Sequence, residues 1–338
     1  MAADGHATRP ADPAVPELDE LARSIFFIVG TGRCGTTLLQ SMLMSHPRLT
    51  VPQETRFFLA YDPIESFGDP IPAPRRREYV DSCVGQWRFA DLGLTAGAFA
   101  ELVERAEGQT SEIFLGVMAQ LLRQSGTVRI GEKTPAHLKH VDRIAELLPH
   151  ARFIHVIRDP RDVALSMESL SWAAGPARWL RYGRSWSRAM QRDARYHEQL
   201  GPSRWMRLRM EDLVLAPAQE LERTCSFLGE DYDPVMLQYH DRQDPGFMDR
   251  EAGWKALTQR PLDTSRIGRY RQKLSHHQIR SIERNAQPWL ERLGYGPEPF
   301  ADRMTWRFRD ALETASWRTW RVGQSVRKRL RPVDEPHV

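Results

Sequence analysis

Ile25-Phe26-Phe27-Ile28-Val29-Gly30-Thr31-Gly32-Arg33-Cys34-Gly35-Thr36-Thr37-Leu38-Leu39 joins an apolar run, a glycine-punctuated turn and the start of a helical apolar pattern. It predicts a buried strand, a loop and a helix in immediate succession. Glycines let backbone N–H groups converge on an anion, and a helix N-terminus adds partial positive charge. Arg33, Thr36 and Thr37 supply side-chain donors beside it. The spacing from Gly30 to Gly35 and the hydroxyl of Thr37 match the phosphate-loop pattern G-x-x-x-x-G-K-[ST], with Thr36 in place of the lysine. That absence weakens the case for a Mg-nucleoside triphosphate, whose β/γ-phosphates the lysine reaches.

Outward from the loop, Leu38, Leu39, Met42 and Leu43 give a helical stripe that ends at His46-Pro47, because the residue before proline leaves the helical region. A short extended segment, 49–51, leads to Gln53-Glu54-Thr55-Arg56-Phe57-Phe58. Proline, glycine and charge dominate 62–77, which reads as a loop, and 94–124 reads as mostly helical. Val128 to Pro135 is a short strand running into a turn, and Phe153-Ile154-His155-Val156-Ile157 is a continuous apolar strand of the kind buried in a parallel sheet. Arg158-Asp159-Pro160 opens a helix, followed by a Trp/Arg-rich helix over 179–199, a strand over 205–210 and an amphipathic helix over 221–228. Strands alternating with helices predict an α/β fold, a phosphate-loop-containing, doubly wound parallel sheet flanked by helices with an extra helical C-terminal segment.

The 338 residues, 41% hydrophobic and 27% charged, suffice for a substantial core. The formal charge of +4 is uneven: 303–331 holds nine Lys/Arg against Asp310 and Glu313, a local +7 that leaves the remainder near −3. The basic character therefore belongs to a tail, which argues against a nucleic-acid-binding body. Cys34, Cys83 and Cys225 are odd in number and far apart, so neither a disulfide framework nor structural zinc is indicated. With no apolar run of membrane-spanning length and a polar, proline-dotted start, the expected location is cytoplasmic. Domains are expected as a flexible leader over 1–22, an α/β domain over 23–300 and a basic amphipathic helical tail over 301–338.

The chain resembles the sulfotransferases that use 3′-phosphoadenosine 5′-phosphosulfate. Gly30 to Leu39 is similar to their 5′-phosphosulfate loop, and Arg158-Asp159-Pro160-Arg161-Asp162-Val163-Ala164-Leu165-Ser166 to their 3′-phosphate segment. Gly131 to Pro135, Met210 to Val214 and Ser265 to Tyr270 resemble further family blocks, in the family's order, so the likeness spans roughly 24–296. Within the family it is nearest the tyrosylprotein and bacterial branch. The resemblance implies that Gly32, Arg33, Cys34, Gly35, Thr36 and Thr37 bind the 5′ end of the donor, Arg158 and Ser166 the 3′-phosphate, and Ser265 and Arg266 the phosphates from late in the chain. It makes Glu54 the base toward an acceptor hydroxyl and Lys133 the donor to the bridging oxygen, with adenosine 3′,5′-bisphosphate as product and no metal. Where relatives often carry a tyrosine before Glu-Asp to touch adenine, this chain has Met210.

The residues themselves leave alternatives open. Glu54, followed by two aromatics that would desolvate it, could instead pair with Arg56, and Lys133 could be a turn lysine in water. Arg158-Asp159 could be a surface ion pair, or Asp159 could hold Mg²⁺ in a phosphate-loop kinase or NTPase, although Arg158 beside it raises the cost of a cation there. A non-catalytic nucleotide-binding scaffold is a further reading. Cys34 lies at a helix start, which would depress its pKa, yet it also reads as a small loop residue. Over 304–331, Phe308, Leu312, Ala315, Val322 and Val326 recur at helical spacing, which fits a peripheral membrane contact, a homodimer contact or a helix docked on the domain. The acceptor is a hydroxyl of unspecified class, whether carbohydrate or glycolipid, peptide tyrosine or small metabolite. The loop 62–77 and the region 241–259 are expected to shape its pocket.

Overall fold

The computed structural model describes residues 17–168, 177–242, 260–299 and 311–319, without 313 and 317. Of the expected tail, the seven described residues between 311 and 319 are helical, and the rest lies outside the described residues, as do 1–16 and 243–259.

The opening stretch forms strand β1, Phe26–Gly30, whose residues are all buried. It pairs in parallel with β3, Arg129–Lys133, placing Phe26 opposite Gly131 and Ile28 opposite Lys133. Gly131 is required by this pairing, since a Cβ there would lie 2.2 Å from Cε2 of the Phe26 ring. β2, Leu49–Thr50, pairs in parallel with the other edge of β3. With β4, Arg152–Ile157, and β5, Trp205–Arg209, the sheet order is β2-β3-β1-β4-β5. The order reverses between β1 and β4, the switch point at whose strand ends α/β sheets bind ligands.

By contacts the chain divides into two units, the first comprising Met1–Val29, Thr37–Ile154 and Leu221–Arg260, the second Gly30–Thr36, His155–Glu220 and Pro261–Val338. The first unit is built on aromatic packing: Phe27 stacks on Phe114 at 5.7 Å and on Phe153 at 5.3 Å between centroids. Phe57 and Phe58, in the short helix α3, Phe57–Ala60, pack on the same Phe114 ring at 5.2 and 4.9 Å. Helix α1, Leu18–Ser24, packs on α6, Thr110–Ser125, with Leu21 buried. This helix lies partly inside the expected 1–22 leader, because a seven-residue helix holds when one face has a partner to bury against.

In the second unit, α8, Pro160–Met167, and the 23-residue α9, Arg178–Leu200, pack with the helix His276–Ala286. Gly183 permits the close approach: a Cβ there would lie 2.4 Å from the Ile282 carbonyl oxygen. The pattern reading finds α8, α9 and β5 but not α4, Arg76–Val84, which starts within the expected loop, nor α10, Met210–Leu215, which continues directly from β5. Both carry mixed polar and apolar residues too short in register to show a period. Among the described residues, no helix is long and apolar enough to cross a membrane.

Candidate functional site

The phosphate loop belongs to the second unit and is shaped by steric necessity. A Cβ at Gly30 would lie 2.6 Å from Cys34 Sγ and 2.8 Å from the Val156 carbonyl oxygen. Gly35 has φ 102°, and a Cβ there would meet Met210 Cγ at 2.6 Å. Met210 is therefore the residue that backs the loop at Gly35, a contact the sequence reading does not anticipate. Gly32 is exposed, Thr36 is buried and Thr37 is partly buried, and the two threonines open helix α2, Thr36–Leu43.

Arg33, held at φ 67°, is the bridge of this site. Its Nε donates to Ser166 Oγ at 3.1 Å, and its carbonyl accepts from Arg158 Nη1 at 3.3 Å. Arg158 and Ser166 thus meet through Arg33. Arg158 Nη2 donates to the carbonyl of Arg266 at 3.3 Å, while Trp186 Nε1 caps the Arg158 carbonyl at 3.0 Å. Burial lowers the pKa of the Arg33 guanidinium, and the neighbouring Arg158 and Arg266 charges lower it further. Arg158 Nε is buried without a hydrogen-bond partner. Like charges gathered around a buried, unsatisfied donor make a site that an anion relieves. Phosphate and phosphosulfate groups have the chemistry this donor set fits.

Several expectations are corrected here. Asp159 does not pair with Arg158 and is not disposed to hold Mg²⁺, because Arg161 occupies it: Oδ1 accepts from Arg161 Nε at 2.9 Å and Oδ2 from Nη2 at 2.7 Å. Oδ1 also accepts the Arg161 backbone N–H at 2.8 Å, capping α8. Ser265 is exposed, and its hydroxyl donates to Asp263 Oδ1 at 2.5 Å. The Cys34 thiol is not depressed by the helix start; complete burial pushes it up to about 11. Cys83 and Cys225 are likewise buried and raised to about 11 by burial. Since thiolate is the reactive form, the native protein is expected to resist iodoacetamide at pH 7.5, and all three thiols to label once it is unfolded. Mass spectrometry of labelled peptides checks this, and rapid native labelling of Cys34 would contradict its burial.

Sequence reasoning misses the supports of this site. Asp162, buried, accepts from the backbone N–H of Gly268 at 2.7 Å and of Tyr270 at 3.0 Å, which ties the segment carrying Arg266 to α8. Glu211 accepts from Asp159 N at 2.9 Å and from the Tyr295 hydroxyl at 3.0 Å. The partners are scattered over more than 130 residues of chain, so no local pattern marks them.

The first unit holds the other candidate pair. Lys133, at the end of β3, is fully buried, and its Nζ donates to Glu54 Oε1 at 2.8 Å, with the Glu54 side chain 16% exposed. Lys133 is therefore not a turn lysine in water, and Glu54 meets Lys133 instead of Arg56. The aromatics expected to desolvate Glu54 point into the Phe114 cluster. Gln40 Nε2, from α2, fixes the approach to Glu54 by donating to the carbonyls of Val51 and Pro52, each at 2.9 Å. Beside the pair, Glu132 is buried and accepts from Thr55 Oγ1 at 2.9 Å, Thr134 Oγ1 at 2.6 Å and His137 Nδ1 at 2.8 Å. Burial pushes its carboxyl up, but His137 and the hydroxyl donors outweigh that and hold it below the ordinary range.

Comparison with known proteins places this geometry. A model of the sulfotransferase family matches residues 26–234. The protein-tyrosine sulfotransferase of Drosophila melanogaster is 24% identical over 220 residues, which cover 64% of this chain and 40% of that protein. The sulfotransferase domain of the Synechococcus PCC 7002 olefin synthase is similar at TM-score 0.53 and 25% identity, covering 78% of this chain and 94% of that one. The sulfotransferase domain from the curacin biosynthetic pathway reaches TM-score 0.58 at 21% identity, covering 81% of this chain and 99% of that one. The family match takes in the loop after β1, Glu54, Lys133, Arg158 and Ser166, and the chain belongs to the sulfotransferase family.

Proposed function

We propose that this protein moves a sulfuryl group from 3′-phosphoadenosine 5′-phosphosulfate to an acceptor hydroxyl. The observation that carries the reading is the gathering of Arg33, Arg158 and Arg266, with the buried Arg158 Nε unsatisfied, around the loop that Gly30 and Gly35 shape. In this reading the loop amides from Gly32 to Gly35 with Arg33, Thr36 and Thr37 hold the 5′ end. Arg158, Ser166 and Arg266 hold the 3′-phosphate. The donor supplies a sulfuryl group whose charge spreads over its oxygens in transit, so positioning and cationic stabilisation are the protein's main contributions.

Glu54 accepts the proton of the acceptor hydroxyl, and Lys133 donates a hydrogen bond to the oxygen from which the group departs. Support comes from the contact itself: Lys133, at the end of β3, donates to Glu54 Oε1 at 2.8 Å. The Glu54–Lys133 contact keeps a counter-charge at the base until a hydroxyl engages it. The named relative acts on protein tyrosine, and a tyrosine-bearing peptide is one acceptor class in this proposal, alongside carbohydrate or glycolipid and small-metabolite hydroxyls. The kinase reading loses its metal-holding carboxylate to Arg161.

Calorimetry with adenosine nucleotides tests the donor site. Adenosine 3′,5′-bisphosphate is expected to bind roughly 10²-fold or more tighter than adenosine 5′-monophosphate, the worth of a few charge-assisted bonds to the second phosphate. Arg158→Met is expected to erase most of that difference. Equal affinity for the two nucleotides in the wild-type protein would count against the assignment.

A further inference from the structure

We infer that Glu132 is a positioning residue that sets the distance between the base Glu54 and the cation Lys133, an inference that rests on the catalytic reading above. One buried carboxylate gathers donors from the two segments that carry those groups. Thr55, which follows Glu54, donates to its Oε1 at 2.9 Å, and Thr134, which follows Lys133, donates to the same oxygen at 2.6 Å. Each hydroxyl is used twice: Thr134 Oγ1 accepts the Arg56 backbone N–H at 3.1 Å, and Thr55 Oγ1 accepts that of Phe57 at 3.3 Å. The chain on the far side of Glu54, including Arg56 at φ 55°, is thereby bound to the end of β3.

Glu132 and Lys133 are successive residues of β3, so their side chains point to opposite sides of the strand, one taking Thr55 and the other Glu54. Because Glu54 and Thr55 are also adjacent in the chain, fixing the Thr55–Glu132 contact restrains the Glu54–Lys133 contact. His137, itself fully buried among the Phe27 and Phe58 rings, fills the remaining Oε2 at 2.8 Å and stops the carboxylate from turning away. A carboxylate serving only core stability has no need of donors from both neighbours of the pair.

The test is a double-mutant cycle on sulfuryl transfer. Glu132→Gln is expected to lower kcat by about 10²-fold, the effect of a misplacement near 1 Å, with the affinity for adenosine 3′,5′-bisphosphate unchanged. In a Glu54→Gln background it is expected to cause no further loss, because its effect passes through Glu54. An equal loss in both backgrounds, or a wild-type rate for Glu132→Gln, overturns the inference and leaves the proposed function standing. A wild-type rate for Glu54→Gln removes both. If Glu132→Gln does not fold, Thr134→Val against Thr134→Ser decides: a loss of about tenfold or more in the valine variant with the serine variant near wild type supports the inference, and equal rates overturn it.

Discussion

Glu54→Gln is expected to lower the rate of sulfuryl transfer about 10³-fold, within the usual range for loss of a positioned general base, while leaving nucleotide affinity unchanged. Glutamine keeps the shape and retains a carbonyl oxygen toward Lys133 Nζ, now 2.8 Å from Glu54 Oε1, but it cannot take up a proton. The separation of effects follows from the roles proposed: Glu54 faces the acceptor and is no part of the donor-holding set Arg33, Arg158, Ser166 and Arg266. Lys133→Met is expected to behave differently. It removes the developing-charge contact and also leaves a mostly buried carboxylate without its counter-ion, so both rate and stability fall. Single-turnover kinetics with saturating donor, alongside calorimetry of the product nucleotide, separates the two variants.

The second large effect is on stability. Arg161 is almost wholly buried and its carboxylate and ring partners include both oxygens of Asp159, Glu283 Oε1 at 2.6 Å, Glu298 Oε1 at 3.9 Å, and the Tyr270 ring at 4.3 Å from its guanidinium carbon. It also donates to the carbonyls of Tyr295 and Gly296, each at 3.0 Å. Removing one member of such a network strands buried charge, which costs about 3–5 kcal/mol. Arg161→Met is therefore expected to destabilise by that amount, on the order of 10 °C in Tm for a chain of this length. A second consequence distinguishes this account from simple cavity formation. Asp159, released from Arg161, sits next to Arg158 and competes with an incoming phosphate for it, so donor affinity falls even at temperatures where the variant is folded. Thermal unfolding with and without adenosine 3′,5′-bisphosphate checks both, and an unchanged Tm would remove the network from the account.

What was legible in the sequence was what short-range chemistry dictates. The strand, loop and helix of 25–39 announce themselves because glycine spacing, an apolar run and hydroxyls at a helix start all act within a few residues. Arg158 and Ser166 came from the family resemblance, and the structure brings both onto Arg33. The helix start at Arg158-Asp159-Pro160 was legible, but the partner of Asp159 was sought in the adjacent Arg158 and is Arg161. The supports were not legible. Arg161 reaches Glu283, and Asp162 reaches Gly268 and Tyr270, over separations that no periodicity encodes. For Cys34 the sequence left open a thiol depressed by the helix start or a small loop residue, and burial, which the sequence does not show, decides for the second. The Ser265 hydroxyl bond to Asp263, two residues away, is a local turn contact of the kind serine side chains make.

The most direct measurement is transfer of radiolabelled sulfate from the sulfonucleotide into hydroxyl-bearing acceptors, with the wild-type protein and Glu54→Gln side by side in the presence of a chelator. Label is expected in an acceptor with the wild-type protein and about 10³-fold less with Glu54→Gln, at equal occupancy by nucleotide. Label that stays on a tightly bound nucleotide, whichever peptide, carbohydrate or small hydroxyl compound is offered, would contradict it and make the protein a binder of the donor instead of a transferase.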